Sequence, residues 1–81
     1  MKTLGLKVDK KELQIAVGKR IRQIRESKNM SQVDLASACN FEKSNMSRIE
    51  SGKTCPNIMT LYIISIALEI PLKELLDLTI V

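Results

Sequence analysis

An all-α bundle of five short helices is the fold class predicted for this 81-residue chain, on three observations. The length allows one domain with a single small core and excludes two compact domains. Apolar residues make up 44% of the chain, yet Phe41 and Tyr62 are its only aromatics, so the core must be built from Ile, Leu, Val, Met and Ala. After residue 9 the apolar positions recur at helical spacing, in segments that begin at capping-type residues and stop at Asn, at Gly or ahead of Pro.

Taken in order, Asp9 followed by Glu12 has the form of a helix start, and Leu13, Val17, Ile21 and Ile24 carry the first helix to Lys28. Asn29 ends it, since Asn tolerates the left-handed conformation. Ser31 and Asp34 form a second start, for a helix over about 32–39 that carries Val33, Leu35, Ala36 and Cys39 and stops at Asn40. The third helix, about 43–51, has Met46 and Ile49 as its inward pair and closes at Gly52. Pro56 and Asn57 make a turn and a cap before a fourth helix from Ile58 to about Glu69, and Pro71 opens a fifth, Leu72 to Asp77. Residues 2–8 differ, because Leu4, Leu6 and Val8 alternate as a short strand would, and residues 78–81 also favour extended structure. The expected division is an N-terminal arm or short strand over 1–9, a helical domain over 10–78 and a tail over 79–81.

Composition narrows the chemistry. The chain has no His, and Cys39 and Cys55 are its only cysteines, which removes serine-type triads, cysteine–histidine pairs and most zinc arrangements. The chain is therefore read as a non-enzyme without cofactor, metal or small-molecule ligand. Charge is polarised: residues 1–54 carry a net charge of +6 and residues 55–81 a net charge of −2. A basic first two-thirds fits a polyanionic partner. No apolar run approaches a membrane span and no export signal opens the chain, so the reading is cytoplasmic, with reduced thiols and no membrane partner.

A short capped helix, a tight turn and a polar second helix in a basic chain meet the specification of a helix-turn-helix. Ala36 lies where the two helices approach, Asn40 takes the turn, and Met46 and Ile49 tether the second helix while its opposite face stays free for a major groove. The run Met30 to Ala36, then Ser44 to Lys53, then Pro56 and Thr60-Leu61 resembles the phage-repressor-like (Cro/cI, XRE) helix-turn-helix family over residues 17–77. The resemblance implies a five-helix, lambda-repressor-like DNA-binding domain that regulates transcription as a dimer on a palindromic double-stranded operator. By position it assigns Lys43, Ser44, Asn45 and Arg48 to base reading, and Gln32, Ser51 and Lys53 to the DNA backbone. Arg25 and Glu50 match a charge pair common in the family. Arg20 and Arg22 admit both a phosphate contact and a solvated helix face; Arg22 is placed with the backbone set. Glu42 stands where the family often has Ser or Thr, and either caps its own helix or accepts a hydrogen bond from a cytosine amino group.

The fourth helix departs from the family. Ile58, Leu61, Ile64, Ala67 and Leu68 account for an inward stripe, and Met59, Ile63 and Ile66 form a second one where the family usually carries charge. This second stripe is expected to be a homodimer surface, or else to be covered by Leu4, Leu6 and Val8 folded back over it. The leading function is a sequence-specific DNA-binding transcription regulator. The alternative is an antitoxin-like protein-interaction module with secondary DNA binding.

Overall fold

A computed structural model describes residues 9–78, and these form five helices: α1 Lys10–Ser27, α2 Gln32–Cys39, α3 Lys43–Glu50, α4 Ile58–Ala67 and α5 Leu72–Leu75. No strand occurs among the described residues, so the fold is all-α. Of the expected arm or strand over 1–9, residues 1–8 lie outside them, as does the tail over 79–81, while Asp9 is the N-cap of α1.

Local chemistry sets most helix starts. Asp9 Oδ1 accepts the Glu12 N–H at 3.1 Å, and Asn57 Oδ1 accepts the Thr60 N–H at 2.8 Å. Ser31 and Asp34 close a reciprocal capping box, in which Ser31 Oγ accepts from Asp34 N at 3.0 Å and Asp34 Oδ2 accepts from Ser31 N at 2.9 Å. Helix ends follow one plan. Asn29, Asn40, Gly52 and Glu69 all adopt positive φ, and the next N–H reaches back to the carbonyl five residues earlier: Met30 to Arg25, Phe41 to Ala36, Lys53 to Arg48 and Ile70 to Ser65. Met30, Phe41 and Ile70 then pack against the core. At the end of α3 the corresponding residue is the exposed Lys53.

The core comprises Val17, Ile21 and Ile24 of α1, Leu35, Ala36 and Cys39 of α2, Met46 and Ile49 of α3, Leu61 and Ile64 of α4, and Leu68 and Leu75. Burial pushes the Cys39 thiol pKa up, because a thiolate would lose its hydration there. Two apolar residues expected inside face solvent. Leu13 lies on the part of α1 that runs ahead of the core, and Val33 sits on the outer side of the first turn of α2. Neither α1 nor any other described helix is long and apolar enough to cross a membrane.

The two stripes of α4 are not divided as the sequence suggests. This helix packs against both α2 and α5, which covers a broad arc holding Leu61, Ile64 and Leu68 and, at its edge, Ile63 and Ala67. Ile63 is thus half-buried against the core and not a free surface residue. Ile58, in the first turn and beyond the reach of the core, is 63% exposed. The solvent-facing strip consists of Ile58, Met59, Tyr62 and Ile66.

Candidate nucleic-acid interface

The amphipathic split of α3 follows from its sequence. Met46, Ile49 and Glu50 are buried, while Lys43, Ser44, Asn45, Ser47 and Arg48 are exposed together. Such a helix is held by a narrow stripe and offers donors and acceptors on the remainder of its circumference. Ser51 and Lys53 are exposed immediately after it, their backbone pinned by Ser51 N to Ser47 O and Lys53 N to Arg48 O, both at 3.0 Å.

What fixes α3 is a buried carboxylate. Arg25 Nε donates to Glu50 Oε2 at 2.7 Å and its Nη2 to Glu50 Oε1 at 3.0 Å, while Nη1 donates to the Met30 carbonyl at 2.8 Å. Gln32 Nε2 donates to the same Oε1 at 3.0 Å. One carboxylate therefore ties α1, the α1–α2 turn and the first residue of α2 to the end of the exposed helix. The Arg25 pKa is raised above its ordinary value chiefly by the hydrogen bond to Glu50, with burial opposing. No buried side-chain polar atom is left without a partner among the described residues.

Gly18 makes this arrangement possible. A Cβ at residue 18 would stand 2.4 Å from the Ile49 carbonyl oxygen and 2.5 Å from that of Glu50, so α1 crosses the end of α3 at backbone contact. Sequence reasoning passed over this residue, although an isolated Gly inside a helical pattern is itself a signal of close approach. Gln14, whose Nε2 donates to the Gly52 carbonyl at 3.1 Å, was passed over too.

The remaining sequence-assigned residues are placed as follows. Gln32 is half-buried in the Glu50 network, with one amide N–H engaged there. Arg22 lies exposed on α1 and pairs with Glu26 across one turn, Nε to Oε2 at 3.3 Å. Arg20 is half-buried and has a partner within the fold: its Nε and Nη2 both donate to the Glu74 carbonyl at 3.0 Å, docking α5 on α1. Glu42 precedes α3 in extended conformation, and its side chain makes no capping hydrogen bond.

Residues 21–75 match the protein family described as Helix-turn-helix. The chain is 40% identical over 68 residues to Control protein C.BamHI of Bacillus amyloliquefaciens, a match covering 83% of this chain and 84% of that protein. Among solved structures it is similar to the restriction-modification controller protein C.AhdI from Aeromonas hydrophila, with a TM-score of 0.75 and 28% identity, over 79% of this chain and 96% of that one. It is also similar to the restriction-modification controller protein C.Esp1396I, solved as a tetramer in complex with its natural 35 base-pair operator. There the TM-score is 0.70 and the identity 32%, over 80% of this chain and 96% of that one.

Proposed function

We propose, from the premise that the chain belongs to the helix-turn-helix family matched over residues 21–75, that it is a sequence-specific DNA-binding transcription regulator of the cytoplasm without catalytic activity. It reads a palindromic operator as a homodimer. The observation that carries this reading is the exposed polar face of α3, held rigidly by the Arg25–Glu50 pair. Lys43, Ser44, Asn45 and Arg48 point away from the core on a helix that fits a major groove, where side chains of these types hydrogen-bond base edges. Ser51 and Lys53 flank it toward the phosphates, with Arg22 and the second amide N–H of Gln32 as further backbone donors. The likeness to Control protein C.BamHI and to two restriction-modification controller proteins favours control of a restriction-modification system over a phage-repressor or antitoxin setting.

Dimerisation through the α4 strip would place two copies of α3 about one DNA turn apart, roughly 34 Å. Selection of bound duplexes from a random pool tests the function directly. The expected result is an enriched sequence with two-fold symmetry, bound in the presence of excess random DNA. A pool that shows no enrichment would overturn the reading in favour of a protein-interaction module.

A further inference from the structure

Helix α1 begins well before the family match, at Lys10 against residue 21. Its first two turns run beside the segment that follows α3. Gln14 bonds the Gly52 carbonyl, and Gly52 comes so close to Ile15 that a Cβ there would stand 2.7 Å from the Ile15 Cα. This backbone contact fixes the start of α1 against the loop after the exposed helix.

An open cleft results, lined by Lys10, Lys11, Gln14, Ser51 and Lys53. All three lysines are exposed, and the ion pairs among the described residues, Arg22–Glu26 and Arg25–Glu50, involve none of them. At about 100° per residue, Lys10, Lys11 and Gln14 share the side of α1 that carries Gly18 and Arg25 toward α3, while Glu12 falls on the far side. The ammonium groups of Lys10, Lys11 and Lys53, unpaired among the described residues, thus line one cleft beside Ser51, continuous with the surface assigned to DNA. Asp9, adjacent to Lys10, is occupied in capping its own helix.

We propose that this cleft is a second backbone-phosphate site, in which Lys10 and Lys11 join Lys53 on the DNA strand flanking the base-reading helix. The inference rests on the DNA-binding reading above and extends the footprint outward from α3. A lysine ammonium is a compact point charge on a flexible stem and suits sequence-independent phosphate contact. The site therefore adds affinity and not discrimination.

The test is a salt titration of binding to a labelled mixed-sequence duplex of about 30 base pairs, where each lost phosphate contact lowers the slope of log K against log salt by about 0.9. Replacing Lys10→Gln together with Lys11→Gln is expected to make the slope shallower by about 1 to 2 and to weaken binding roughly tenfold at physiological salt. The control, Lys19→Gln with Lys73→Gln, removes the same charge from exposed positions elsewhere, Lys19 half a turn round α1 from Lys10 and Lys73 on α5. It should leave the slope unchanged. A double variant at Lys10 and Lys11 that keeps the wild-type slope and affinity overturns the inference, and so does an equal loss in the control, since the effect is then one of net charge. A wild-type protein that shows no salt-dependent binding to the duplex overturns the DNA reading itself.

Discussion

Arg25 and Glu50 meet through two hydrogen bonds, at 2.7 and 3.0 Å, with side chains only 9% and 3% exposed. Removing one partner strands the other charge in the interior, which costs more than the intact pair contributes. Arg25→Ala and Glu50→Ala are each expected to lose about 3 kcal/mol of stability. The double variant should lose clearly less than the sum of the two, because it strands neither charge. Urea denaturation of the four proteins measures this; additive losses would mean that the two groups do not act as a unit.

Gly18→Ala is the sharper test of how α3 is positioned. Helix propensity alone favours Ala over Gly by about 1 kcal/mol. At residue 18, however, the added carbon meets the Ile49 and Glu50 carbonyl oxygens at 2.4 and 2.5 Å, and these are backbone atoms with no rotamer to change. The expected outcome is a net destabilisation of about 1–3 kcal/mol, as overpacking costs. Operator affinity should fall further than the folded fraction does, because relief of the clash shifts the end of α3. A variant with wild-type stability and affinity would mean that the close approach does not hold in solution.

Legibility in the sequence tracks how local each interaction is. The starts of α1, α2 and α4 were readable because Asp9, Ser31 with Asp34, and Asn57 act within three residues of themselves. Three helix ends were readable because Asn29, Asn40 and Gly52 are residue types that tolerate positive φ. The end of α4, expected at about Glu69, was readable only from Pro71 beyond it and not from the turning residue itself. Glu69 takes φ 58 against its own preference, at a cost of roughly 1–2 kcal/mol for the left-handed region, so that Ile70 can turn back onto the core.

The division of α4 was hidden for a different reason. That helix is apolar nearly all round, so its periodicity cannot say which arc α2 and α5 will cover, and Ile58 and Ile63 changed places. Long-range backbone partners leave no trace in a sequence pattern: Arg20 finds the carbonyl of Glu74, 54 residues away. At the candidate interface, by contrast, the exposed set on α3 was readable because a short helix with two inward apolar residues has one face left over.

The α2 capping box makes part of the stability depend on pH. Asp34 is held below the usual carboxylate range, first by the Ser31 backbone N–H and then by the Ser31 side chain. A carboxyl that is more acidic folded than unfolded contributes fully above its unfolded value, near 4, and that contribution is lost as pH falls through the lower folded value. Asp34→Asn should flatten this part of the acid dependence. Urea midpoints measured at neutral pH and below the carboxylate range check it: the drop between the two should be smaller for the variant than for the wild-type chain. An identical drop would place the acid sensitivity elsewhere.

Helix α4 carries the last prediction. Ile58, Met59, Tyr62 and Ile66 are 63%, 61%, 51% and 58% exposed along one side of a ten-residue helix, and a contiguous apolar strip of this kind marks a contact surface. The strip sits in the acidic C-terminal third, apart in sequence from the basic α3 segment. Ile66→Lys should therefore abolish association while preserving helicity and the unfolding free energy of the monomer. Ile63→Lys should behave differently, because Ile63 is half-buried against the core and a charge there destabilises the monomer itself. Sedimentation and urea unfolding of the two variants separate these effects. With Ile66→Lys, operator binding should weaken strongly, since each monomer then engages one half-site alone. A wild-type chain that is already monomeric at tens of micromolar, or an Ile66→Lys variant that still sediments as a dimer, would remove α4 as the dimer surface.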